Sequence, residues 1–317
     1  MRINSVARFA AATLVAIGAL GASSSLSAKG PFSHLYDKDA NGVIPEKERR
    51  ALLDLYAATE GEASWDNHDG WNGPPGSECH WHGITCNHTH VILIELGDNH
   101  LKGVLPDLSA LTELDYLDVR GNQLHGSIVV LGKVTSLRGV NVSDNAFEGE
   151  LPPLGELHGL LAFFAYRTQL SGSIPPLAGL DKLENLSLAN NRLSGAIPAL
   201  RGLTALQSID LSDNQLSGEI PTFEGLDALQ SIELSNNHLR GPIPELTGLS
   251  KLHGIKISGN QLAGAAPAVP SPNEMVRGGS RLCPNLLASS NNPVWDRATN
   301  AEPWYQQCLP TPLQIGR

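Results

Sequence analysis

From Val91 onward the apolar positions keep a fixed rhythm. The stretch "LENLSLANNRLSGAIPALRGLTA", starting at Leu183, reads L-x-x-L-x-L, then Asn, Leu, Gly and Ile-Pro at set distances. The same spacing returns every 23 residues, at Val91, Leu114, Leu137, Leu160, Leu183, Leu206, Leu229 and Leu252. The alternating leucines predict a short strand with one buried face, and the asparagine behind them predicts a turn. Eight units of constant period predict a repeat architecture. No single unit can bury its leucines, so neighbours must stack into a curved solenoid with a parallel sheet along one side.

Two further columns follow from the same alignment. Glycine recurs at Gly103, Gly126, Gly149, Gly172, Gly195, Gly218, Gly241 and Gly264, a backbone position that tolerates little or no side chain. Asparagine recurs at Asn99, Asn122, Asn145, Asn191, Asn214, Asn237 and Asn260. A buried amide left unpaired costs about 1–3 kcal/mol, so a regular column of them implies a ladder that satisfies backbone groups between turns.

The residues between the core leucines face outward on the strands. One outward column runs Glu95, Asp118, Asn141, Phe164, Ser187, Asp210, Glu233 and Lys256, and the next runs Gly97, Arg120, Ser143, Tyr166, Ala189, Ser212, Ser235 and Ser258. The later repeats present small polar groups. Repeat four, "LLAFFAYRTQLSG", instead presents Phe164, Tyr166 and Arg167 and puts Thr168 where the ladder asparagine belongs. A local break of the repeat rule beside exposed aromatics marks a candidate binding surface, extended by Tyr116 and Arg120 and flanked by Asp118 and Glu95. Degeneracy of one repeat, with its side chains packing on their neighbours, is the competing reading.

The consensus L-x-x-L-x-L-x-x-N-x-L-x-G-x-I-P over residues 91–274 resembles the plant-specific class of leucine-rich repeat, found in receptor-kinase ectodomains, polygalacturonase-inhibiting proteins and some secreted bacterial proteins. The fold expected is an α/β solenoid, a right-handed superhelix with a parallel concave sheet and disulfide-stapled end caps. Upstream, "IPEKERRALLDLYAATEGEASWDNHDGWNGPPGSECHWHGITC" is similar to that family's amino-terminal cap, an amphipathic helix followed by two tryptophans and C-x-W-x-G-x-x-C. Residues 45–90 are therefore expected to form this cap, and 275–317 a carboxy-terminal cap and tail. Of the three possible pairings of four cysteines, spacing and this end-to-end layout favour Cys79 with Cys86 and Cys283 with Cys308. The histidines around the first pair, His80, His82, His88 and His90, read either as solvated cap residues or as an imidazole metal site if they meet across a hairpin.

Residues 1–28 read as a secretory signal: Arg2 and Arg8, an apolar run too short to span a bilayer, then small residues near Ala28. A secreted chain, extracellular or periplasmic and without a membrane span, agrees with an even cysteine count. Next comes "DKDANGVIPEKE" within an acidic segment, 29–48, which resembles a single EF-hand loop. That resemblance implies calcium held by Asp37, Asp39, Asn41, the Val43 carbonyl and both oxygens of Glu48. "IPEKER" also reads without metal as a helix start, with acidic residues at the positive end of the dipole.

The formal net charge of −10, with 32 acidic against 22 basic residues, repels phosphate backbones and argues against a nucleic-acid partner. Glu95 with Asp118 and Asp210 with Glu233 would sit on adjacent strands, near enough to couple as in a glycosidase, but an open sheet offers no water-excluding pocket. The reading is therefore not an enzyme. The expected function is recognition of an extracellular protein, peptide or glycan on the concave face. Inhibition of a secreted hydrolase and a structural surface role are the alternatives.

Overall fold

The computed structural model describes residues 43–269, 274–290 and 292–308. Its spine is a nine-stranded sheet in which Ile84–Asn87 pairs antiparallel with His90–Glu95 and every later strand adds in parallel. These strands are Tyr116–Asp118, Gly139–Asn141, Ala162–Phe164, Asn185–Ser187, Ser208–Asp210, Ser231–Glu233 and Gly254–Lys256. Partners keep the repeat register: Glu95 faces Asp118, Asn141 faces Phe164, Asp210 faces Glu233. The outward columns of the sequence are thus real rows on the concave side of a right-handed solenoid.

A second nine-stranded parallel sheet runs the length of the molecule, from Lys102–Val104 to Leu286–Leu287. The pattern had pointed to one sheet only. The L-x-G segment behind each asparagine is extended too, and at a constant period each copy pairs with the next. Among the described residues, α-helices are confined to the two caps (Glu46–Ala58 and Gly61–Ser64, then Pro293–Thr299), with short 3-10 turns such as Val129–Lys133 between the strands. The expected right-handed solenoid with a parallel concave sheet and disulfide-stapled caps is present, and among the described residues its α-helices lie in those caps.

Leu96, Leu101, Leu108 and Leu111, with their equivalents in later repeats, fill one continuous core. Each leucine so buried is worth about 1.5–3 kcal/mol. The asparagine ladder forms as the column implies. Asn122 Nδ2 donates to the Leu96 and Val119 carbonyls at 2.9 and 2.8 Å, while its Oδ1 accepts the N–H groups of Asn99 and Leu101 at 3.0 and 2.9 Å. The ladder reaches the amino-terminal cap, where Asn99 Nδ2 donates to the Asn67 carbonyl. It also runs one turn further than the eight repeats: Asn285 accepts from Leu262 N and donates to the Ile257 and Leu282 carbonyls, and Arg281 bridges to Lys256 in parallel. A ninth rung therefore opens the carboxy-terminal cap.

The glycine column has a backbone cause. All eight glycines have φ between +76° and +94°, and at Gly149 and Gly264 an added Cβ would meet nothing within 4 Å. Conformation, more than space, selects glycine there. Gly103 adds a close approach, since a Cβ would fall 2.2 Å from the Ala58 carbonyl of the cap helix.

Both disulfides join the expected pairs, Cys79–Cys86 and Cys283–Cys308. In the amino-terminal cap Tyr56, Trp65, Trp71 and Trp81 pack together, Tyr56 stacked on Trp71 and edge-on to Trp65, with Trp71 4.9 Å from both other indoles. In the carboxy-terminal cap Trp295 and Trp304 are fully buried and donate their indole N–H to the Pro267 and Ser290 carbonyls. No helix among the described residues is long and apolar enough to cross a membrane.

Candidate functional site

The concave surface of repeats one to four differs from the rest in what it buries. Tyr116 projects from its strand but does not stand up from it. A Cβ on Gly139 would lie 2.5 Å from the tyrosine Cδ2, so the glycine leaves the bed on which the ring rests. With Ile92 and Leu93 the ring makes a small apolar cluster separate from the main core. Tyr116 is 3 % exposed and Asp118 likewise. The expectation that both offer exposed contacts is corrected: they form the floor of the surface.

Arg120 closes that floor. Asp118 Oδ1 accepts the Arg120 backbone N–H at 3.0 Å and its Oδ2 meets the guanidinium Nη1 at 2.5 Å, with Asp98 3.7 Å from Nε. Burial pushes the Asp118 carboxyl up from the ordinary carboxylate value, and Arg120 opposes that shift. The Tyr116 phenol is pushed well above its ordinary value, chiefly by burial and then by Asp118. Arg120 is thus largely neutralised by its neighbours. The other guanidiniums of this face follow suit, Arg138 lying 3.6 Å from Asp115 and Arg167 3.5 Å from Asp144. Each basic group is matched by a carboxylate of the preceding repeat, and with Glu95 added the carboxylates outnumber them.

Phe164, Tyr166 and Arg167 rise above the floor. Phe164 sits in register between Asn141 and Ser187 and is half-buried. Tyr166 is also half-buried, its backbone N–H donating to Ser143 Oγ. Burial raises its phenol pKa, Asp144 adding to the shift while Arg120 and Arg167 oppose it. The Arg167 side chain is 67 % exposed.

Repeat four breaks the scaffold twice more. The position of Arg167 has positive φ in every repeat, and the others fill it with Asp98, Gly121, Asp144, Asn190, Asp213, Asn236 and Gly259, the residue types that adopt this conformation most readily. Arg167 holds it at φ +50°. Beside it Thr168 cannot span back to the previous repeat as an asparagine does; its hydroxyl lies 2.5 Å from Asn191 Oδ1. On the adjacent strand Asn185, 3 % exposed, has a buried Nδ2 with no hydrogen-bond partner among the described residues. The φ column was missed at the sequence level, though Asp, Asn and Gly recurring one place before the ladder asparagine was a legible signal.

The carboxylate pairs have other employment. Asp210 accepts from Ser212 N and Oγ at 3.0 and 2.6 Å, and Glu233 pairs with Lys256 Nζ at 2.7 Å. Burial raises the Asp210 carboxyl, against the opposing Ser212 hydrogen bonds.

In the cap, Glu48 is 0 % exposed. Its two oxygens engage His90 Nδ1 at 2.6 Å and the Val91 N–H at 2.9 Å, tying the first helix to the first concave strand. Of the other residues of the calcium-loop pattern, Val43 is exposed, and Asp37, Asp39 and Asn41 lie outside the described residues. The hairpin joins 84–87 to 90–95 and leaves His80 on a separate 3-10 turn. No three metal-ligating side chains converge among the described residues.

Family comparisons agree with this geometry. A leucine rich repeat N-terminal domain matches residues 45–87, two leucine rich repeat copies match 181–225, and a further repeat matches 228–249. Among solved structures, the PEPR1–AtPEP1 complex is 25 % identical over 81 % of this chain, with a TM-score of 0.69. A plant peptide hormone receptor, RGFR1 in complex with RGF2, is 32 % identical over 65 % of it, with a TM-score of 0.59. A plant ice-binding protein is 25 % identical over 77 %, with a TM-score of 0.63. This chain spans 37 % and 34 % of the two receptor chains and 80 % of the ice-binding protein. The protein belongs to the leucine-rich repeat family, and within it resembles the extracellular domains of plant receptors.

Proposed function

We propose that this is an exported recognition module that holds an extended basic peptide against the concave face of repeats one to four. Residues 1–28 would direct the export. The observation that carries the reading is the Phe164–Tyr166–Arg167 ridge: part-exposed aromatics on a rigid floor, in the one repeat that departs both from the ladder asparagine and from the Asp, Asn or Gly found at the positive-φ position. Aromatic and arginine side chains dominate interface energetics when a partner covers them. The surplus of carboxylates around the ridge favours basic groups in the ligand and acts mainly on steering. One of the similar structures is a plant peptide hormone receptor solved in complex with RGF2, which supports a peptide among the ligand classes open to such a surface.

The likeness to the ice-binding protein has less local support. A flat lattice of small hydroxyl residues would suit ice. The outward row of the second sheet has only Ser171, Ser194 and Ser217 in succession, bounded by Glu148 and Arg240. The test of the peptide reading is selection from a displayed random peptide library on the immobilised mature chain. Recovered sequences should be rich in Lys and Arg around apolar residues, and Tyr166→Ala should weaken their retention. Recovery of acidic sequences, or of none, would reject it.

A further inference from the structure

The opposite end of the groove carries a separate cleft, of about 550 Å³, where the last repeats meet the carboxy-terminal cap. This lies within the ~300–1,000 Å³ range of small-ligand sites. Its walls are Ser212, Ser235 and Ser258 on successive rungs, the charged pair Glu233 and Lys256, and Arg281 of the ninth rung. The serine hydroxyls form a set with both donors and acceptors. Ser258 Oγ donates to Ser235 Oγ at 3.2 Å and Ser212 Oγ to Asp210 at 2.6 Å, so the Ser235 proton remains to donate and the Ser212 and Ser258 lone pairs to accept. Lys256 is matched by Glu233. The guanidinium of Arg281 differs: it is exposed, and among the described residues it has no ion-pair or hydrogen-bond partner. On this face, where Arg120, Arg138, Arg167 and Lys256 each have a carboxylate neighbour, Arg281 is a cation left over for a ligand.

We propose that this cleft is a second binding site, for an acidic saccharide unit, with Arg281 pairing its anionic group and the serine row meeting its ring hydroxyls. A planar guanidinium binds carboxylate or sulfate oxygens two at a time. The rest of the lining favours a sugar over a peptide terminus, because besides the serines and charged groups the wall holds the Asn236 amide, donating to Asp213 at 2.8 Å, with only Pro284 and the Cys283 disulfide as apolar surface. A peptide's side chains would find little to bury against, whereas sugar hydroxyls need this mixture of donors and acceptors.

The experiment is calorimetric titration of the mature chain with a glucuronate-containing disaccharide, its 6-sulfated counterpart, the neutral glucose disaccharide and tetra-alanine with a free carboxylate. Wild type should bind at least one acidic disaccharide about tenfold or more tighter than the neutral one, and the preferred arm identifies carboxylate or sulfate as the anionic group. Arg281→Gln should remove that preference. Arg240→Gln, an exposed arginine on the second sheet, should not, and amide shifts on saturation should centre on Ser235 and Ser258. Both arginine variants should retain the wild-type melting temperature. Equal binding of acidic and neutral sugars, tetra-alanine binding as tightly as the acidic sugars, no binding of any probe, or an unchanged preference in Arg281→Gln would each overturn the site.

Discussion

Replacing Arg167 by asparagine should make the protein more stable and a poorer binder. At φ +50° an ordinary L-residue carries a cost of about 1–2 kcal/mol, which asparagine partly escapes through its short polar side chain. Against this stands the Arg167–Asp144 contact at 3.5 Å, with the arginine 67 % exposed. An exposed pair of this kind contributes about 0–1 kcal/mol before screening by salt. The balance is a gain of roughly 0.5–1 kcal/mol, which raises the melting temperature by a few degrees at about 2–4 °C per kcal/mol for a domain of this size. The mirror change, Asn190→Arg, puts the same residue at the same place one repeat later, where φ is +56°, and should cost a similar amount. Thermal and urea unfolding of both variants beside wild type gives the comparison. If Arg167→Asn is no more stable than wild type, or Asn190→Arg is neutral, arginine bears no strain at this position and the strongest structural argument for repeat four fails. If the gain appears and ligand retention falls, the site holds strain that binding requires.

Asp210 gives a pH-dependent signature. Its carboxyl is raised in the folded protein by burial, so the native state holds a proton that the unfolded chain has released, and this destabilises the fold above that window and is relieved as pH falls through it. Asp210→Asn should therefore have its best stability relative to wild type near neutral pH, the difference shrinking towards pH 4; a difference independent of pH would contradict the burial. In the amino-terminal cap, Glu48→Gln should destabilise by about 1–3 kcal/mol, since the buried carboxylate's charge-assisted hydrogen bonds to His90 and the Val91 N–H are weakened, and unfolding without change would contradict the tie to His90 and Val91. Calcium held by Asp37, Asp39 and Asn41 would lack the Glu48 carboxylate, so calorimetry should show an affinity no tighter than about millimolar and unchanged in Glu48→Gln; micromolar binding lost in that variant would restore the complete loop. Cys79→Ser should fray the cap, read as faster amide exchange in 46–58 with the repeats still protected, and uniform loss of protection would refute a local role.

The sequence specifies rows more firmly than it specifies what lies along them. A period of 23 residues fixes which side chains share a face, so the Glu95–Asp118 and Asp210–Glu233 registers and the asparagine ladder were legible, and the cysteine spacing with one pair at each end made both disulfides so. Side-chain direction was not. Tyr116 belongs to an outward row, yet the glycine at 139 lets its ring lie down along the sheet and cover the floor, and Asp118 sinks with it under Arg120. The second sheet escaped notice because L-x-G reads as a turn as readily as a strand when one repeat is viewed alone; only stacking gives it partners. Arg281 was hidden by spacing. The ninth rung comes 25 residues after Lys256 and Asn260, at Arg281 and Asn285, and a search at the constant period stops one rung short. Glu48 fitted two readings, a metal ligand and an acidic residue in the first turn of a helix, and its contacts with His90 and Val91 were visible in neither, because they join positions 42 and 43 residues apart.

The central claim is that the Phe164–Tyr166–Arg167 ridge is the recognition surface. Peptides recovered by library selection should be measured by calorimetry against wild type, Phe164→Ala, Tyr166→Ala and the double change Ser212→Ala with Ser235→Ala. Each aromatic change should weaken binding by about 2 kcal/mol, close to thirtyfold, as for a hot-spot residue. The melting temperature should stay within a few degrees of wild type, since both rings are already part-exposed in the free protein, and the serine changes should leave affinity as it was. Loss of binding on changing the serines, with the aromatic variants binding as wild type, would contradict the account and move the recognition surface to the other end of the groove.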